Sequence, residues 1–303
     1  MKLKNLTPKK IIKWLKMITG RSILHVNQGP GKIYSKTEIK GYYNDLTEKV
    51  LKGKLLNINE VPTRRVNKKN VEFSIEIFQY GLACYDLFLI EKNNEYLEKF
   101  QTMVNWALEN QAEDGSWITF AFDYSDAPYS AMAQGEGASL LLRAYTLTQN
   151  NEYLLKAKKA IEFMLIPISK GGTAVVDGDE LYFKEFTCLP VVLNGWIFAL
   201  FGLFDYQLVS KSKEIKQIIE QAIITLENNL EKFDNGFWSM YDIKEKIASP
   251  FYHNLHIAQL QVLYDLTGKE TFRIFYEKWE KYRKKRKNRR KAFWLKAKQK
   301  LNE

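Results

Sequence analysis

Four long apolar helical patterns recur along the chain at almost constant spacing. Tyr85-Asp86, Ala144-Tyr145, Phe204-Asp205 and Tyr264-Asp265 mark them, and the steps from Tyr85 to Tyr145, to Phe204 and to Tyr264 are 60, 59 and 60 residues. A self-similar period of this kind is the signature of a repeated supersecondary unit. A short polar break follows each pattern: Asn93-Asn94, Gln149-Asn150-Asn151, Ser210-Lys211-Ser212 and Gly268-Lys269. A second helix then begins, twice with the same phrase, Asn94-Glu95-Tyr96-Leu97 and Asn151-Glu152-Tyr153-Leu154. The first helix of each pair is apolar nearly all round and predicts a buried element. The second carries one apolar stripe, as in Tyr96, Phe100, Met103, Val104, Ala107 and Leu108, and predicts an outer helix with one wet face. Inner and outer helices alternating in this way predict a mainly α chain, an incomplete α/α toroid of about four helical hairpins.

Long segments separate the pairs. Asp114 to Pro128, Gly171 to Pro190 and Asn235 to Pro250 each lead into an inner helix, so all three belong at one mouth of the ring. Loops of this length in a compact domain usually carry function. Two contain matching turns, Asp114-Gly115-Ser116-Trp117 and Asn235-Gly236-Phe237-Trp238. In the third, Asp177-Gly178 between β-prone runs predicts a small hairpin at the mouth. Residues 1–70 show no clean repeat and are expected to wrap the bundle. Residues 71–282 then form the toroid domain and 283–303 a basic tail.

Composition narrows the classes. Apolar residues make up 46% and charged residues 27%, enough for a large core. The 18 Phe, 17 Tyr and 7 Trp suit a sugar cleft or simply a large core. The net charge of +11 suggests nucleic acid until it is located: Lys278–Glu303 holds 13 Lys/Arg against 2 Asp/Glu, and the remainder is neutral. No recognised nucleic-acid module accompanies that charge, so a nucleic-acid partner is not expected. Cys84 and Cys188 lack CxxC partners, which excludes a disulfide framework and fits a reducing compartment. The N-terminal segment lacks the uninterrupted apolar run of a signal peptide. The most apolar stretch, Val191–Phe204, is shorter than the roughly 20 residues of a membrane span, and reads as a core helix.

Candidate chemistry gathers near the inner-helix starts. Tyr241 and Tyr252 flank one loop. A phenol exchanges protons when a neighbouring cation lowers its pKa from about 10, and Lys244 is available; two packed aromatics are the plain alternative. His253 and His256 share a helix face, but His25 is the only other histidine and no third metal ligand is evident. They read as sugar-cleft lining or as structural hydrogen bonders, with no metal. Gln134 and Glu136 stand at the start of an apolar helix, where a buried carboxyl needs partners. Glu185, at the end of the hairpin strand before Asn194, either faces the mouth or is solvated. No phosphate loop and no nucleophile elbow is present.

Ser130-Ala131-Met132-Ala133-Gln134-Gly135-Glu136-Gly137, Val192-Leu193-Asn194-Gly195, Asp234-Asn235-Gly236 leading to Tyr241-Asp242, and Tyr252-His253-Asn254-Leu255-His256-Ile257-Ala258-Gln259-Leu260 occur in this order. Together, over residues 70–282, they resemble the C-terminal α-helical domain of the D-glucuronyl C5-epimerase family, in a short bacterial-type form. The resemblance implies inversion at C5 of glucuronate within a polymer, giving iduronate, through three tyrosines and a glutamate. Two tyrosines fall on Tyr241 and Tyr252, and the glutamate on Glu185. The third tyrosine position holds Phe186, which has no hydroxyl, and an arginine position holds Lys244. The expected roles are proton transfer by Tyr252 and Tyr241 with Glu185 assisting, and uronate binding by Lys244, Asn194, His253, His256, Gln134 and Glu136. No metal or organic cofactor is required.

Two alternatives stand beside this. A polysaccharide lyase begins with the same proton abstraction and then expels the C4 substituent. A non-catalytic glycan-binding relative is kept open by Phe186. The expected partner is an acidic polysaccharide. Arg283–Lys291 with Phe293 and Trp294 suits an anionic membrane surface, assisted by Lys9–Ile18, or alternatively a solvated helix end. The corresponding location is cytoplasmic, peripheral to the inner membrane face. Self-association into a homo-oligomer is left open.

Overall fold

The computed structural model describes residues 26–53, 56–66, 68–244 and 246–302. His25 and the Lys9–Ile18 segment lie outside them. Four helical hairpins form the body: α2 (Ser74–Glu91) with α3 (Asn94–Asn110), α4 (Ala131–Thr148) with α5 (Asn151–Leu165), α6 (Leu193–Ser210) with α7 (Lys213–Asn229), and α8 (Pro250–Thr267) with α9 (Glu270–Lys284). A short α1 (Glu48–Leu51) and a hairpin of β1 (Thr63–Val66) and β2 (Lys69–Glu72) precede them. A second hairpin, β3 (Ala174–Asp177) and β4 (Glu180–Phe183), lies between α5 and α6, and α10 (Arg286–Asn302) follows the last pair. Both hairpins are antiparallel, with Thr63 opposite Glu72 and Ala174 opposite Phe183.

The first helix of each pair is the inner one. Helix α2 packs on α4, α4 on α6 and α6 on α8, and their residues are buried round most of the helix circumference. This is the incomplete α/α toroid that the 60-residue period predicts. Val191–Phe204 is core, and no helix among the described residues is long and apolar enough to cross a membrane. The closest helix approach is set by glycine: a Cβ on Gly202 would stand 2.4 Å from the Cα of Gly135.

The polar breaks are helix ends of one design. Lys92, Gln149, Lys211 and Gly268 each adopt a left-handed conformation, and each donates its N–H to the carbonyl four residues earlier. Asn93, Asn150 and Ser212 then cap the outer helix, each side chain accepting an N–H of its first turn. At the opposite rim, Gly115 and Gly236 (φ +92° and +83°) make matching turns. Trp117 and Trp238 follow them, and each indole N–H donates to a backbone carbonyl, of Ala107 and Ala248.

The aspartates of the repeat close the ring. Asp86 accepts the N–H of Tyr42 (2.9 Å), Asp265 the hydroxyl of Tyr34 (2.8 Å), and Asp205 the guanidinium of Arg143 (2.6 Å). Arg143 also donates to the carbonyl of Gly41. Residues 26–53 thereby bridge the first and last inner helices. Both members of the Arg143–Asp205 pair are buried. Removing one partner from such a pair strands the other charge without water, at a cost of about 3–5 kcal/mol. Asp205→Ala should therefore lower the urea midpoint strongly. The double variant Asp205→Leu with Arg143→Met should recover much of the loss.

Candidate functional site

The mouth loops are tied to one another by main-chain bonds. Ala131, opening α4, donates to Lys184 (2.9 Å), which fixes the chain just before Glu185. Leu193, opening α6, donates to Tyr241, and Ile243 donates to Val191. Ser249 caps α8 with Pro250 in its first turn, and this sets Tyr252 at the mouth. Where these segments meet lies a cavity of about 270 Å³, room for a single sugar ring. Tyr241, Tyr252, Glu185, Asn194 and Phe186 all line it.

The phenols of Tyr241 and Tyr252 have ring centroids 4.7 Å apart and are hydrogen-bonded to each other. Burial, then the charge of Glu185, pushes both pKa values well above the ordinary phenol value. This is the opposite of the lowering that a nearby Lys244 ammonium would produce. Lys244 is instead exposed and does not line the cavity; its N–H donates to Asp242. Desolvation outweighs the pull of Arg64 on Tyr252. At neutral pH both phenols hold their protons.

Glu185 is buried, and its Oε2 has no hydrogen-bond partner among the described residues. Burial pushes its carboxyl up to about 8, against the pull of the Asn194 side chain. The sequence makes room for it: a Cβ on Gly195 would lie 2.5 Å from the Cβ of Glu185. Phe186 stacks on Phe120 with centroids 4.2 Å apart, so this wall of the cavity is an aromatic face.

Four further candidates lie behind the cavity lining. His253 and His256 are fully buried, and both accept or donate through Nδ1 at the hydroxyl of Ser239, at 2.8 and 3.0 Å. His253 also stacks on Trp238 and meets the carbonyl of Trp279. Burial lowers both imidazoles, His253 to about 3, so they are neutral, and neither lines the cavity. Gln134 bonds Gly115 and Trp117 and fixes that turn to α4. Glu136 accepts from Gln79 (2.7 Å), which itself lines the cavity, and burial pushes its carboxyl well up. No group of three or more potential metal ligands exists among the described residues.

Two cations in the cavity escaped the sequence analysis: Lys49 of α1 and Arg64 of β1. They precede the first repeat, and no local pattern marks them. The basic tail is likewise not a loose end. Helix α10 buries Ala292 against Trp238, Ile247 and Ala248 and sets the ammonium of Lys296 5.5 Å from the Tyr241 ring centre. The side chain of Gln299 accepts the N–H of Ile247.

The fold and site together define a helical toroid with a cavity of phenols, carboxyls and cations at one mouth. Residues 118–281, over half of the chain, match the family described as D-glucuronyl C5-epimerase C-terminus, and the chain belongs to that family. It is 24% identical over 224 residues to a D-glucuronyl C5-epimerase of Caenorhabditis elegans, covering 64% of this chain and 36% of that protein. It is 28% identical over 155 residues to an uncharacterized protein of Methanocaldococcus jannaschii, MJ1128, covering 49% and 50%. The chain thus spans between about a third and a half of the length of these relatives. Among solved structures, it is similar to the GH76A alpha-1,6-mannanase of Salegentibacter sp. HEL1_6. The TM-score is 0.48 and the identity 14%, over 72% of this chain and 65% of that one. The endo-beta-1,4-glucanase CMCax of Acetobacter xylinum gives a TM-score of 0.43 at 12% identity, over 64% of each chain.

The raised carboxyls have a consequence for stability. Below its ordinary pKa of 4.5, Glu185 is protonated folded or unfolded, and its burial costs no charge. Above 4.5 the unfolded chain releases the proton that the folded chain keeps, so stability falls as pH rises towards about 8. Asp86, pushed to about 7, acts in the same sense. Glu185→Gln should flatten this slope and exceed the wild type in urea midpoint at pH 8, when both are compared between pH 5 and 8.

Proposed function

We propose that the protein is a uronate C5-epimerase that converts D-glucuronate to L-iduronate within a glucuronate-containing polysaccharide. One observation carries this reading: two adjacent phenols and a carboxyl with one oxygen unpartnered among the described residues, from stretches distant in sequence, line one ring-sized cavity. The family to which the chain belongs supports the same chemistry. The C5 proton lies α to a carboxylate. A base must remove it, and an acid must return a proton to the opposite face while the developing charge is held. In this proposal Glu185, once ionised, is the base, and the Tyr241–Tyr252 pair is the proton source. Burial keeps the phenols protonated, and a carboxyl near 8 is the most readily ionised of the three. Asn194 hydrogen-bonds the sugar or orients Glu185. The scheme needs no cofactor. Phe186 and Phe120 form a stacking wall in place of a third hydroxyl.

Incubation with heparosan in D2O tests the reading, with C5 deuteration and iduronate formation followed by NMR. The wild type should give both, with a rate that rises as pH passes about 8. Tyr252→Phe should lower deuteration by at least about 10²-fold. Retained activity in that variant would remove Tyr252 from the mechanism. An unsaturated, ultraviolet-absorbing product would instead make the protein a lyase.

The same proposal sets the protein at the cytoplasmic face of a membrane where such polymer is assembled. Helix α10 has eight Lys/Arg and no Asp/Glu, and Trp294 on its outer side is 70% exposed. Lys287→Glu with Arg290→Glu should weaken sedimentation with phosphatidylserine vesicles at least tenfold. Equal sedimentation would detach the basic helix from any membrane role.

A further inference from the structure

The chemistry just proposed needs a seat for the uronate carboxylate, and Lys244 does not provide one. The cavity holds two other cations, both from the segment that precedes the repeats. Arg64 is held in place: its guanidinium lies 2.8 Å from Glu76 and 4.3 Å above the ring of Phe73. Lys49 makes no ion pair and no side-chain hydrogen bond within the described residues. The two cations repel one another across the cavity, and the positive charge of Arg64 also reaches Tyr252. Arg64 is therefore electrostatically coupled both to Lys49 and to the phenol pair.

The charge count is specific. Lys49 and Arg64 contribute two positive charges and Glu76 one negative charge to the lining. Glu185 is mostly protonated below about 8, and the Glu136 carboxyl behind Gln79 is pushed well up by burial. One positive charge is left without a counter-charge in a space the size of one ring. Burial already pulls the Lys49 ammonium below its ordinary pKa, a cost that a bound anion would relieve. A monoanion meets these conditions; a neutral sugar leaves the charge buried, and a dianion such as a phosphate monoester is undercompensated.

We propose that Lys49 and Arg64 together seat the carboxylate of a single hexuronate residue, fixing its C6 against the N-terminal segment and its C5 towards Glu185 and the tyrosine pair. This rests on the epimerase reading. When Glu185 takes the C5 proton, the electron pair of the C5–H bond moves into the carboxyl group, and an enediolate with two negative charges forms. A phenol then returns a proton to C5, the pair moves back, and nothing is oxidised or reduced. Two cations at that group stabilise the enediolate more than the ground-state monoanion. Their loss should therefore lower kcat and not merely raise KM.

Full-length wild type, Lys49→Gln, Arg64→Gln and Lys49→Arg would be titrated calorimetrically with heparosan and with heparosan whose carboxyls are reduced to alcohols, and assayed for C5 deuteration. Wild type should bind the native polymer and not the reduced one. Each Gln variant should lose that discrimination and about 10²-fold in kcat, Lys49→Arg should regain most of it, and the surface control Lys213→Gln should match wild type. If wild type discriminates and the two Gln variants discriminate equally well, the seat is elsewhere and the epimerase reading survives. If wild type neither binds nor deuterates any uronate polymer, that reading falls and the seat with it.

Discussion

The toroid is an open ring, and its cavity depends on how the opening is filled. Four inner helices leave a gap between the first and the last, and residues 26–53 occupy it. They are held by aspartates that stand at equivalent places in three of the four repeats. Asp86 takes the main chain at Tyr42, Asp265 takes Tyr34, and Asp205 holds Arg143, which in turn takes Gly41. The Arg143–Asp205 pair is deeply buried, where charge is tolerated only when paired, and the bond from Arg143 to the carbonyl of Gly41 sets the register of the bridge. That register delivers α1 and the β1–β2 hairpin to the mouth. Without it the phenols and Glu185 would face an open funnel with no cation opposite them.

Within the cavity, desolvation is the largest influence on Tyr241, Tyr252, Glu185 and Lys49. It holds the phenols and Glu185 in their neutral forms and lowers Lys49. A pocket of neutral acids beside two cations is a poor host for a neutral molecule and a good one for an anion. Gly195 is part of this arrangement: its missing side chain is the space into which Glu185 folds.

Much of this was legible in the sequence, and the failures share one cause. The period near 60 residues, the polar breaks and the matching Gly-containing turns are local patterns, and local patterns specify helices, caps and turns. Tyr241, Tyr252, Glu185 and Asn194 belong to mouth segments that the repeat itself locates, so their meeting could be anticipated. His253 and His256 follow Tyr252 directly on α8, yet the helix turns them inward to Ser239 and Trp238, a distinction that spacing alone does not make. Lys244 is near Tyr241 in sequence, but burial, not its charge, governs the phenols. Lys49 and Arg64 lie outside the repeat, and their place is fixed by tertiary contacts distant in sequence.

Helix α10 adds a thermodynamic constraint. Its inner side grips the loop that carries Tyr241, through Ala292, Lys296 and Gln299, while its outer side is a dense cationic ridge. One rigid rod thus touches both the exterior and the wall of the cavity. If ridge and cavity each bind better in one seating of the rod than in another, a ligand at either alters affinity at the other by the same factor.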